Sequence, residues 1–160
     1  MSETGNSDGG AGDIRRDNTG VLPDPAANKP RAKATPYELI GGDAKLRELV
    51  ERFYALMHAE PALEGIRKLH PPSLEGSTEK LYMFLSGWLG GPQLYAEKYG
   101  HPMLRARHLP FAIGKSERDQ WMAGMSLAME QVGIAPEVRE QLEAAFFRTA
   151  DWMRNRPEPD

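Results

Sequence analysis

The sequence predicts an all-α domain behind a long N-terminal extension that has little to bury. In four segments between residues 43 and 155, apolar residues recur at three- and four-residue steps, the spacing of one helix face. No stretch shows the strict apolar/polar alternation of a half-buried strand. Glycine and proline fall between the periodic segments rather than inside them, as helix stops and turns do.

Residues 1–34 are rich in Gly, Asp, Asn and Pro, so the entropy lost on ordering them has no apolar burial to offset it. They are expected to form a flexible, low-complexity extension, with a helical domain over 35–155 and a short tail over 156–160. The extension has neither the apolar centre nor the small-residue cleavage site of a secretory signal. A cytoplasmic location is therefore expected.

Thr35-Pro36-Tyr37-Glu38 has the form of a capping box with proline at the first helical position, and Gly41-Gly42 stops the short helix it opens. Asp43 is expected to cap the next helix, whose Leu46, Leu49, Val50, Phe53, Tyr54 and Met57 form one apolar stripe. A proline-rich turn through Pro61, Pro71 and Pro72 separates it from a helix over 77–89 bearing Leu81, Phe84, Leu85 and Trp88. Gly90-Gly91-Pro92 ends that helix, because proline cannot continue the ladder and glycine permits a left-handed exit. Two short pieces are expected over 93–99 and 103–109. Ser116, with Asp119 three residues on, opens a helix carrying Trp121, Met122, Met125, Met129 and Val132, and Gly133 closes it. The last helix is expected over 136–155, with Val138, Leu142, Ala145, Phe146, Thr149 and either Trp152 or Met153 on its inner face.

Composition narrows the classes of function. The formal net charge of -3, without a dense Lys/Arg stripe, offers little to a nucleic-acid backbone or an anionic bilayer. No apolar run approaches the length of a membrane span. The chain of 160 residues has no cysteine, which removes disulfides, thiolate metal ligands and cysteine nucleophiles. His101 and His108 do not make a two-histidine metal pair, since Pro102 breaks the helix such spacing needs and no carboxylate completes the set.

Four strings stand in order along the chain: RFY at 52–54, MFLSGWLGGP at 83–92, GHPMLRARHLPF at 100–111 and ERDQWM at 117–122. In identity, order and spacing they resemble the group II truncated haemoglobins, the tryptophan-containing type, over residues 35–155. The resemblance implies a shortened globin, a two-over-two helical sandwich around haem b. In that fold the helix bearing the iron-ligating histidine shrinks to about one turn, which suits the short piece over 103–109.

By the same resemblance His108 is the iron ligand, while Tyr54 and Trp121 supply hydrogen-bond donors to the bound molecule. Leu81 occupies an apolar position over the iron. Ser77 stands where other globins carry a distal histidine, and a small residue there leaves an entrance. His70 falls where many members carry Tyr or Phe, in a segment longer than the common pattern, so Leu69 or Arg67 remain alternatives for that position. Phe53, Phe84, Phe111, Phe146 and Met125 are expected on the apolar walls. Arg105 and Arg107 are either partners of haem propionates or a solvated face.

The implied activity is binding of O2, CO or NO with slow release, since donors aimed at developing negative charge in an apolar pocket favour retention over bulk oxygen transport. A second reading has the same pocket act as a haem peroxidase or a nitric oxide dioxygenase, with Tyr54 and Trp121 catalytic and peroxide and an external reductase as partners. A third, haem-free interaction module would not need His108 in its motif. The assembly is expected to be a monomer or a homodimer. A large apolar cofactor would also stabilise so small a core, so the apoprotein is expected to be loosened.

Overall fold

A capping box opens the first helix, as expected: in α1 (Pro36–Ile40) the Thr35 hydroxyl accepts from the Glu38 amide at 3.1 Å, and the Glu38 carboxylate accepts from the Thr35 amide at 3.0 Å. The computed structural model describes residues 34–157. Residues 1–33 of the expected extension, and 158–160 of the tail, lie outside the described residues. Gly41, at φ 119°, closes α1 in the left-handed conformation and serves at once as N-cap of α2 (Gly42–Ala59). Asp43 therefore does not cap that helix. Its carboxylate lies inside the first turn and accepts a hydrogen bond from the Tyr82 hydroxyl.

Leu46, Leu49, Val50, Phe53 and Met57 of α2 are almost wholly buried, each removal from water contributing about 1.5 to 3 kcal/mol. The proline-rich segment after α2 is more ordered than its composition suggests. A 3-10 turn (Pro61–Leu63) leads into α3 (Glu64–Arg67), which buries Leu63 and Ile66 and is tied down by the Ile66 amide donating to the Gln120 side chain at 3.0 Å.

The next helix, α4 (Glu75–Trp88), starts two residues earlier than expected because the Ser73 hydroxyl takes the Glu75 amide ahead of Ser77. It ends where the glycines require. The fully buried Ser86 hydroxyl donates to the Pro92 carbonyl at 2.7 Å, and the Tyr37 amide donates to Leu89 at 2.9 Å, fixing α1 to the end of α4. Two short helices follow, α5 (Leu94–Tyr99) and α6 (Leu104–His108).

Helix α7 (Lys115–Gln131) begins one residue before Ser116. Its N-cap is Gly114, whose amide donates to the Glu117 carboxylate at 2.7 Å, while Ser116 instead accepts from Gln120. Helix α8 (Pro136–Trp152) ends three residues short of Asn155, because the Asn155 side chain is engaged in a turn described below. Of the two candidates for its last inward position, Met153 is buried and Trp152 is exposed.

Helices α2 and α4 form one pair and α7 and α8 the other, and the pairs join where α7 crosses α2. Gly124 allows that crossing: a Cβ there would stand 3.1 Å from both the Phe53 ring and Leu63. This is the two-over-two sandwich expected from the sequence, with no strand among the described residues. No helix among them is long and apolar enough to cross a membrane.

Candidate functional site

Between the two helix pairs, and closed below by α6, lies a cavity of about 510 Å³ walled mostly by carbon. A volume of that order suits a cofactor-sized ligand. Leu81, Phe84 and Trp88 of α4 are only half-buried although they continue an apolar stripe, because they face this space instead of another helix.

His108 lines the cavity from the last residue of α6. Its Nδ1 lies 2.8 Å from the Leu104 carbonyl oxygen. A carbonyl can only accept, so Nδ1 carries the proton, and in the neutral ring Nε2 is left with its lone pair. That division of roles prepares an imidazole to ligate a metal. Among the described residues no group of three or more His, Asp or Glu side chains is placed to hold a metal ion.

Tyr54, from α2, turns an almost fully buried ring toward the cavity. Burial pushes its phenol far above the ordinary value, so the hydroxyl remains a donor at any physiological pH. That hydroxyl makes no hydrogen bond with a described residue. Its ring packs edge-on against Phe53 at 5.1 Å and against His70 at 5.7 Å.

His70 donates from Nδ1 to the Ile66 carbonyl at 2.8 Å, which orients its ring as Leu104 orients that of His108. Burial pulls its pKa below the ordinary value; the carbonyl bond opposes this, and the charges of Arg67 and His108 add to it. Trp121 is held by Phe53 at 5.3 Å and Phe146 at 5.5 Å, both edge-on, and Phe146 is itself stacked on Trp88 at 5.0 Å. The tryptophan ring therefore has little freedom to turn.

Ten of the residues singled out in the sequence come together on this cavity: Tyr54, His70, Ser77, Leu81, Phe84, Arg107, His108, Phe111, Trp121 and Phe146. Leu69 lines it as well. Four others do not. Phe53 and Met125 are completely buried in the core behind Tyr54 and Trp121, so they shape the wall without facing the space. The Arg105 guanidinium donates to the carbonyls of Trp152 and Arg154, near the C-terminal end of α8. Arg67 is also turned aside, donating to the carbonyls of Pro71 at 3.0 Å and Pro72 at 2.8 Å.

Sequence reasoning overlooked several lining residues. Thr149 sits one turn beyond Phe146 on the predicted inner face, and Arg118 lies within ERDQWM, so both had a signal. Met153 had one as well, as a candidate for the last inward position of α8, whereas Tyr95 and Lys80 had none, since they reach the cavity only through the way α5 and α4 are placed. Arg118 is paired with Asp151 at 2.7 Å and Asp119 at 2.9 Å.

Residues 35–155 match the bacterial-like globin family. The chain is 43% identical over 125 residues to group 2 truncated hemoglobin YjbI of Bacillus subtilis, covering 78% of this chain and 92% of that protein. Among solved structures it resembles the group II 2-on-2 hemoglobin of Agrobacterium tumefaciens, with a TM-score of 0.76 and 44% identity over 79% of this chain and 98% of that one. It also resembles the truncated oxygen-avid haemoglobin of Bacillus subtilis, with a TM-score of 0.70 and 43% identity over 76% of this chain and all of the other.

Proposed function

The chain belongs to the group II truncated haemoglobins, and from that premise we propose that it holds haem b through His108 and binds O2 and other diatomic gases, releasing them slowly. The observation that carries the reading is the His108 ring: Nδ1 committed to Leu104, Nε2 left with a lone pair, on the wall of an apolar cavity. The donor set fits such a group. A cavity of about 510 Å³ with one imidazole and aromatic walls suits a flat apolar macrocycle. With no cysteine in the chain a thioether-attached haem is excluded.

When bound, ferrous haem would supply the metal centre that holds and polarises a diatomic molecule. The protein's part is to place donors there beforehand. The Tyr54 hydroxyl is kept protonated by burial and has no acceptor among the described residues to compete for it. The Trp121 indole N–H is a donor that cannot accept, and its ring is wedged between Phe53 and Phe146. His70 offers an acceptor rather than a donor, since Nδ1–H holds the Ile66 carbonyl and the neutral ring keeps a lone pair on Nε2. Leu81 narrows the space and excludes water, which makes each donor more effective. Ser77 leaves an entrance. Arg107, unlike Arg105, stands on the cavity rim and can meet a propionate, while its Nε donates to Pro102 at 2.9 Å.

The test is His108→Gly, read by the absorption and axial-ligand spectra of the haem-loaded protein. The Soret band should shift and the protein nitrogen ligand disappear, with added imidazole restoring both. A spectrum unchanged from wild type would remove His108 from the role.

A further inference from the structure

The segment that leaves α8 folds back onto the chain around His108. The Asn155 side chain donates to the carbonyls of His108 at 3.2 Å and Phe111 at 2.9 Å, and its oxygen accepts from the Ile113 amide at 3.0 Å. The Ile113 carbonyl in turn accepts from the backbone amides of Asn155 at 2.8 Å and Arg156 at 3.1 Å. From the other side Arg105, inside α6, donates to the carbonyls of Trp152 and, at 3.0 Å, Arg154. Both faces of the junction are thus held by hydrogen bonds that bridge distant parts of the sequence.

Helix α6 needs such support. Five residues lie far below the length at which a helix is stable by itself. Its N-cap, Met103, is left-handed at φ 48°, a strained conformation for a residue with a side chain. Because the His108 ring hangs from the Leu104 carbonyl of the same turn, any rotation of the turn rotates the imidazole.

We infer that Asn155, seconded by Arg105, is a positioning residue for the His108 imidazole: the end of the chain clamps the one-turn helix and so sets the angle and distance at which Nε2 meets a metal. This rests on the reading of His108 as the haem ligand. It assigns Arg105 to the clamp rather than to a propionate.

The test uses the haem-loaded full chain. Asn155→Asp keeps the size of the side chain but removes both donated bonds. Resonance Raman spectra of the ferrous, gas-free protein report the iron–histidine stretch, and transfer of haem to excess apomyoglobin reports retention. Asn155→Asp should move and broaden the iron–histidine band and speed haem loss about tenfold. Arg105→Gln should change both in the same direction and serves as the second arm if Asn155→Asp does not fold. Tyr82→Phe removes the bond to Asp43, away from the cavity, and should leave the band in place. The inference is overturned if Asn155→Asp and Arg105→Gln lower only the melting temperature, with the band and haem loss as in wild type. It is equally overturned if Tyr82→Phe moves the band as much. If instead His108→Gly retains the band, the ligand assignment itself fails, and the two failures are thereby told apart.

Discussion

Replacing Tyr54 by phenylalanine should have opposite effects on the empty and the gas-bound protein. In the folded apoprotein the hydroxyl is taken from water into a largely apolar cavity without an acceptor among the described residues. A polar group left unsatisfied on burial costs about 1 to 3 kcal/mol, reduced where a cavity admits water. The variant should therefore be as stable as wild type or more stable by up to about 1 kcal/mol, measured by urea unfolding of apoprotein near neutral pH. Alkali sharpens the test. Unfolded Tyr54 ionises near the ordinary tyrosine value of 10.0, whereas burial raises the folded value well above that. Below pH 10 both states keep the proton. Above it only the unfolded state loses it, so wild-type stability falls by about 1.4 kcal/mol per pH unit from this residue alone, a slope that Tyr54→Phe removes. On the proposed function the same hydroxyl donates to O2 bound in the haem-loaded protein, so its loss should speed O2 release about five- to tenfold. An apoprotein destabilised by more than about 1 kcal/mol would mean that the hydroxyl has a partner within the fold, and the argument would collapse.

Trp121→Phe removes an indole donor while keeping an aromatic ring between Phe53 and Phe146; stopped-flow O2 release should accelerate roughly five- to hundredfold. His70 should make apoprotein stability sensitive to mild acid. Its folded pKa is depressed, so below the unfolded value of 6.5 only the unfolded state takes up the proton, and stability falls with pH until the folded value is passed. Urea midpoints at pH 5.5 and 7.5 should differ less in His70→Phe than in wild type. Gly124→Val puts atoms against Phe53 and Leu63 where a Cβ alone would already stand at 3.1 Å, and should destabilise by about 1 to 3 kcal/mol in thermal or urea unfolding.

By itself the sequence determined what depends on neighbours along the chain. The capping box at Thr35, the apolar stripe of α2, the glycine stops at 41, 90 and 133 and the shortness of α6 all follow from spacing within one or two turns, and all are present. The motifs around Tyr54, His108 and Trp121 also marked the wall of the cavity, through their resemblance to a known family and not through periodicity, which by itself reads Tyr54 and Trp121 as inward-facing core. Helix starts were harder to read, because a serine or aspartate signals a cap only if a competing group does not take the amide first, as Ser73 and Gly114 with Glu117 do. Tertiary structure alone decided which members of an inward face meet empty space and which meet another helix. Phe53 and Met125 share their helix faces with Tyr54 and Trp121, yet the crossing at Gly124 buries them against the core. Arg105 and Arg107 are two residues apart, but one turns to the end of α8 and the other to the cavity rim. Such choices come from contacts between segments far apart in the chain, whose geometry is fixed only when the layers pack, and periodicity carries no record of it.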